Sequence, residues 1–270
     1  MTLPVAVVQL AADTDTQAAA ERSAAAVRDA ARGGAHLVVL PEYASGWAPR
    51  LTTELAQPLD GPFLTAVRAA AAETGVWVVA GTMVPTGTED RCQNLAVLLG
   101  PDGQVAGEYR KVHLFDAFGV RESEVLDGGP AEASNLLTAQ VGGLRLGVAT
   151  CYDLRFPEIF RLLADAGVQL LVVIAAWADG PGKAEQLEVL ARARALENTS
   201  YLLLASQPGG GRVGRSAVIS PLGTVIEQGA ASDAVILHAE LDPDVVTRAR
   251  KAVPSLTHHR FHVVPGPPPH

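Results

Sequence analysis

The chain has 270 residues, 48% hydrophobic and only 5% aromatic, with a formal net charge of −8. That length and apolar content suit one large α/β or β-sandwich domain with an interior mainly of Ala, Val and Leu, and the acidic balance argues against nucleic acid or an anionic membrane as partner. The two cysteines, Cys92 and Cys151, imply no disulfide scaffold and suit a reducing compartment.

The N-terminal run MTLPVAVVQLAAD lacks a basic start and is too short for a signal or a membrane span, so a cytoplasmic location is expected. Val5 to Leu10 reads as a short apolar strand. Thr14 to Arg32 is Ala-rich and reads as a helix closed by Gly33-Gly34. His36 to Leu40 is a second buried strand, ending in Pro41-Glu42-Tyr43. A Gly-stopped helix spans Gly61 to Gly75, and Val76 to Val84 follows as a strand. Leu95 to Leu99 and Val105 to Val112 flank Pro101-Asp102-Gly103, a hairpin turn. His113 to Pro130 lacks periodicity and reads as a long loop, and such loops in compact domains tend to be functional.

Strand and helix alternate again in the second half. Leu144 to Thr150 reads as a buried strand, Pro157 to Gly167 as a helix, and Gln169 to Ala175 as a buried strand ending at Ala176-Trp177. Lys183 to Asn198 is a helix with Leu187, Leu190, Ala191 and Ala195 on one stripe. Tyr201 to Ser206 is a strand, and Ala217 to Ile219 and Thr224 to Ile226 flank a turn at Ser220-Gly223. Ala234 to Leu241 is a strand, and Asp242 to Lys251 a helix with Asp242 as N-cap. The Pro- and His-rich tail from Pro254 is expected to lie over the surface or over a partner. Hairpins mixed with βα units suit two sheets packed face to face with helices outside.

Three unlike reactive groups stand at the C-terminal ends of these strands. Glu42 follows the second, Lys111 ends the strand that includes Tyr109-Arg110, and Cys151 ends the strand from Leu144. A thiol at a strand-to-helix junction lies near unpaired backbone N–H groups and the positive end of a helix, a position expected to favour thiolate. Each residue also has a structural reading: Cys151 as buried filler, Glu42 as a turn cap, Lys111 as a solvated charge. Cys92 reads as a bystander. No His/Cys cluster has metal-ligand spacing, and neither metal nor cofactor is expected.

The segments LPEYASG around Glu42, EYRKVHLFD around Lys111 and ATCYDLRFPE around Cys151 closely resemble the nitrilase superfamily of carbon–nitrogen hydrolases. The resemblance runs from about Val5 to Phe261. It implies an α/β fold, an αββα four-layer sandwich, as a single domain over residues 1–270, with subunits that pair through outer helices into a homodimer or higher homo-oligomer. It also implies a Glu42, Lys111 and Cys151 triad and a second glutamate after the lysine, with Glu122 the best match and Glu124 the runner-up.

The chemistry implied is amide hydrolysis. Glu42 takes the thiol proton, and Cys151 attacks the carbonyl and forms a thioester. Lys111 and the Tyr152 N–H hold the oxyanion, and Glu122 orients Lys111 or the substrate amine. CYDLRFPE is similar to the branch of small-acid amidases that includes ω-amidase and deaminated-glutathione amidase. The expected substrate is therefore a small-molecule amide bearing a carboxylate. N-carbamoyl-amino-acid hydrolysis and a non-catalytic scaffold stand as alternatives. Tyr43 and Trp177 are candidate pocket residues; Arg155 or Arg212 is the candidate carboxylate partner, although Arg155 can equally pair with Glu158.

Overall fold

The computed structural model describes residues 1–88 and 90–266. One six-stranded sheet is built from β1 (Leu3–Gln9), β2 (Leu37–Val39), β3 (Trp77–Pro85), β4 (Cys92–Leu99) and β5 (Val105–Arg110), with one strand returning from the C-terminal end of the chain. The second six-stranded sheet holds β6 (Thr138–Val141), β7 (Leu144–Thr150), β8 (Leu170–Ala175) and β9 (Tyr201–Ser206). After a short ribbon, β10 (Pro208–Gly209) with β11 (Arg212–Val213), it is completed by β12 (Ala217–Ile219) and β13 (Val225–Gln228). The last strand, β14 (Val235–Leu241), crosses back to pair antiparallel with β1, giving orders β14-β1-β2-β3-β4-β5 and β13-β12-β9-β8-β7-β6.

Strand alternation builds the layers. Val5, Val7, Leu37, Val39, Ala96 and Leu98 point into the core between the sheets. Their neighbours Ala6, Val8, Val38, Leu40, Val97 and Leu99 point the other way, onto a helix layer. That layer is α1 (Thr16–Arg32) and α2 (Pro62–Thr74), which supply Ala20, Ala24, Val27, Phe63 and Val67. Small alanines let these helices sit close, which is how a chain poor in aromatics fills its core. On the far side α3 (Pro157–Asp165) and α4 (Lys183–Glu197) cover the second sheet through Phe160, Leu163, Leu187 and Ala191. α5 (Pro243–Ala252) and a last turn, α6 (Ser255–His258), follow β14. The four expected layers are present, and no helix among the described residues is long and apolar enough to cross a membrane.

Most expected elements appear within one or two residues of their expected ends. The Asp15 carboxylate caps α1 by accepting from Ala18 N at 2.9 Å, and Asp242 caps α5 by accepting from Asp244 N at 2.9 Å. The hairpin at Pro101-Asp102-Gly103 turns with Gly103 at φ +73°. The loop from His113 to Pro130 stays irregular apart from one 3-10 turn, Glu122–Glu124, and a single bridge from Leu126 to Cys92. The chain after Cys151 forms a five-residue 3-10 turn, Cys151–Arg155, before Pro157 opens α3. The β6 strand and the β10–β11 ribbon had no counterpart in the expected elements.

Parallel pairing aims the strands at one rim. β1, β2 and β3 run parallel, and β5 is antiparallel to β4, which is antiparallel to β3. In the second sheet β7, β8 and β9 run parallel. The C-terminal ends of β2, β5, β7 and β8 therefore gather at the edge where loops can build a site.

Candidate active site

Glu42 lies three residues beyond β2, on backbone pressed so close to β3 that a Cβ at Gly81 would sit 2.5 Å from the Glu42 Cα. Its carboxylate is buried and fully occupied. Oε1 accepts from Asn94 Nδ2 at 2.7 Å and from Lys111 Nζ at 3.0 Å, and Oε2 accepts from the Ala176 backbone N–H, just past β8, at 2.7 Å. Gln207, past β9, donates to the Glu42 carbonyl at 2.6 Å. The base is thus gripped from both sheets.

Lys111 follows β5 directly, and its side chain is wholly buried. Its ammonium donates to Glu42 and to both oxygens of Glu122, at 3.0 and 2.8 Å. Glu122 in turn accepts from the Tyr43 hydroxyl at 3.0 Å and from the Phe115 N–H at 2.7 Å. Glu124 is exposed on the same turn. Burial opposes the charge on Lys111, but the two carboxylates outweigh it and hold the ammonium's pKa well above its ordinary value.

Cys151 follows β7 with φ +47°, a left-handed conformation that a non-glycine residue adopts only where its surroundings impose it. The buried carboxylate of Asp153 braces the turn that holds it. Oδ2 accepts from Thr150 N at 2.8 Å and from the Tyr109 hydroxyl at 2.7 Å. Oδ1 accepts from His113 N at 3.2 Å and meets His113 Nδ1 at 2.8 Å. The His113 ring stacks on Phe156 with centroids 3.7 Å apart. Asp153 thereby ties the nucleophile's turn to the strand and loop that carry Lys111. Asp153→Asn keeps the shape but turns an N–H₂ toward these donors. It is expected to lower stability by about 2–3 kcal/mol and kcat by about tenfold or more, read by urea unfolding and steady-state kinetics.

The thiol itself corrects the expectation of a thiolate. Burial first, then the Glu42 carboxylate, push Cys151 well above its ordinary pKa, and Lys111 only partly offsets them. The turn's free N–H groups are too weak to stabilise a thiolate beside two carboxylates. Burial also raises Glu42 above the usual carboxylate value, against the pull of Lys111. The resting thiol is neutral, and the Glu42 carboxylate has a raised proton affinity.

Glu42, Tyr43, Glu122, Cys151, Tyr152 and Trp177 line one cleft of about 320 Å³. Trp47, Phe115, Val120, Ala178 and Lys183 extend its walls. Arg155 is not on the lining. Its guanidinium stands over the Trp177 ring at 5.0 Å and the Tyr152 ring at 5.9 Å, and bonds Gln186 Oε1 at 2.7 Å rather than pairing with Glu158. Arg212 is not a carboxylate partner, because its guanidinium is spent on the Gly209 and Ala12 carbonyls and on Gln207. Cys92 is buried at the start of β4 off the cleft, and desolvation raises its pKa to about 11. Sequence reasoning missed Asp153, Asn94 and Lys183. A polar residue within each apolar run, ATCYDL and CQNLAVLL, was the available signal for the first two.

A family model for carbon–nitrogen hydrolases matches residues 4–251. A hydrolase of Mycobacterium tuberculosis is 38% identical over 265 residues, covering 92% of each chain. A deaminated glutathione amidase of Escherichia coli O157:H7 is 35% identical over 260 residues, covering 95% of this chain and 97% of its own. The crystal structure of the Caenorhabditis elegans NitFhit protein superposes with a TM-score of 0.86 at 28% identity. It is matched over 96% of this chain, which spans only 65% of that longer protein.

Proposed function

The chain belongs to the carbon–nitrogen hydrolase family, and from that premise we propose that it is an amidase cleaving the linear carboxamide of a small carboxylic acid. The observation that carries the reading is one aromatic cleft lined by Cys151 and by a carboxylate of raised proton affinity, Glu42, with the buried Lys111 ammonium bonded to that carboxylate. The similarity to a deaminated glutathione amidase supports the substrate type.

The resting protonation sets the order of events. Because the thiol is neutral, attack and proton transfer run together. Sulfur bonds to the carbonyl carbon as Glu42 takes the proton. The oxyanion meets the Lys111 ammonium and the Tyr152 N–H, which lies in a first turn where no intrahelical acceptor exists. If the two Glu122 oxygens share one Lys111 N–H, a donor remains for this task. The tetrahedral adduct collapses as Glu42 protonates the nitrogen, the C–N bond breaks and ammonia leaves. Water then loses a proton to Glu42, attacks the thioester and breaks the C–S bond. The sulfur regains its proton from Glu42, and the acid departs. Glu122 keeps Lys111 aimed, and Tyr43 steadies Glu122.

The whole chain is read as a single such domain that works as a homodimer or higher oligomer paired through its outer helices. Supporting this, Val189 and Leu196 on α4 are exposed, Leu196 lies against Gly223 of the β12–β13 turn, and Leu222 on that turn is exposed too. The function is tested by ammonia release from α-ketoglutaramate, deaminated glutathione, N-carbamoyl amino acids and simple nitriles. Turnover of one of the first two is the expected result. Turnover of carbamoyl substrates alone, or of none, overturns the reading.

A further inference from the structure

The cleft lining carries both signs of charge. Beside the carboxylates of Glu42 and Glu122 it includes Lys183, the first residue of α4, which is 6% exposed. Its ammonium lies over the Phe118 ring at 3.7 Å and the Phe115 ring at 5.3 Å. It forms no ion pair among the described residues, and the groups that act on its charge are another cation, Arg155, and the Cys151 sulfur. Arg155 likewise has no carboxylate partner among them, being bonded to Gln186 and stacked over Trp177.

Most of this placement works against the empty protein. A cation in the first turn opposes the helix dipole. A second cation nearby repels it, and burial removes its water. Aromatic faces offset only part of that. Gly182 at the N-cap also provides no side-chain cap, so the first N–H groups of this fifteen-residue helix lack one too. An anion entering the cleft would relieve all of these at once. The aromatic path fits such a ligand. Tyr152, next to the nucleophile, packs edge-on to Phe115 at 5.0 Å, and Phe115 lies 6.3 Å from Phe118, which is 77% exposed. An apolar chain can lie along these rings with a polar group at each end.

We propose that Lys183 anchors the free carboxylate of the substrate, with Arg155 behind the wall adding to the field, so that the amide at the other end reaches Cys151. This rests on the amidase reading above, but the anchoring step can be tested apart from turnover.

Wild type, Lys183→Met and Lys183→Arg are compared on glutaramate and on its neutral counterpart valeramide. The preference for glutaramate in kcat/KM is expected to fall by about 10- to 100-fold in the Met variant, mainly through KM, and to return largely in the Arg variant. A preference unchanged in Lys183→Met overturns the proposal. Binding is read independently from protection of Cys151 against iodoacetamide by glutarate. Glutarate should protect wild type and fail to protect Lys183→Met; equal protection of both overturns the proposal. Should no amide turn over while protection still depends on Lys183, the anchor stands and the amidase reading falls. Ligand-free Lys183→Met should also unfold in urea at or above the wild-type midpoint. A lower midpoint together with unchanged preference marks Lys183 as structural and overturns the proposal.

Discussion

Changing Lys111 to alanine is expected to cut turnover by about 100- to 1000-fold or more and to weaken the fold at the same time. The kinetic loss follows from removing a full positive charge from the place where the oxyanion forms, in a site closed to water where no solvent cation replaces it. The structural loss follows from what Lys111 touches. Its ammonium is the shared donor between Glu42 and Glu122, both buried. Without it two carboxylates face each other across a cavity, and breaking a buried ion pair from one side typically costs about 3–5 kcal/mol. The deficit should depend on pH with a definite sign. Glu42 already has a raised pKa in the folded protein, and losing Lys111 raises it further. A group whose folded pKa lies above its unfolded value favours the fold at low pH and loses that contribution as pH rises through the folded pKa. The variant should therefore be least impaired in acid and fall further behind wild type toward neutral pH, as urea unfolding across that range will read. A variant within tenfold of wild-type kcat, or of wild-type stability at neutral pH, would contradict this account of the site.

Glu42→Gln separates the two effects. It removes the base but leaves Lys111 paired with Glu122, so the fold should persist while kcat falls by about 100- to 10,000-fold. Two details mark this as loss of a base. In wild type, kcat/KM should decline toward acid as Glu42 takes its proton from solvent instead of from Cys151, with a midpoint above the ordinary carboxylate value because burial raises it. In the variant that acid limb should vanish. Alkylation of Cys151 by iodoacetamide should also slow, because the thiol loses the acceptor that draws off its proton. An acid limb that survives the substitution would assign the titration to another group.

The layers of this fold were readable because both halves mix βα units with hairpins, which suits two packed sheets with helices outside. Which face of a run such as Val5 to Val8 meets the sheet and which the helices was not, because all four residues are apolar. The positions of Glu42, Lys111 and Cys151 at strand ends were plain, and three motifs in order named the family. The thiol's protonation was not readable, since it depends on Glu42 and Lys111, 109 and 40 positions distant, and on burial that neither neighbour in sequence reveals. Asp153 was overlooked because its four contacts come from Tyr109, His113 and Thr150, most of them far along the chain. Arg212 looked available for a carboxylate because a sequence does not show carbonyls, and it is the carbonyls of Ala12 and Gly209 that occupy it. β6 escaped notice as a short, half-exposed edge strand with little apolar alternation.

The convergence of Glu42 and Lys111 on the sulfur of Cys151 is tested most directly by mass spectrometry of the wild-type enzyme acid-quenched during turnover of glutaramate. The expected result is a protein heavier by the amide's mass less ammonia, with the added mass on the peptide containing Cys151, removed by hydroxylamine and absent from Cys151→Ala. An adduct carried elsewhere in the chain, or full turnover by Cys151→Ala, would contradict it.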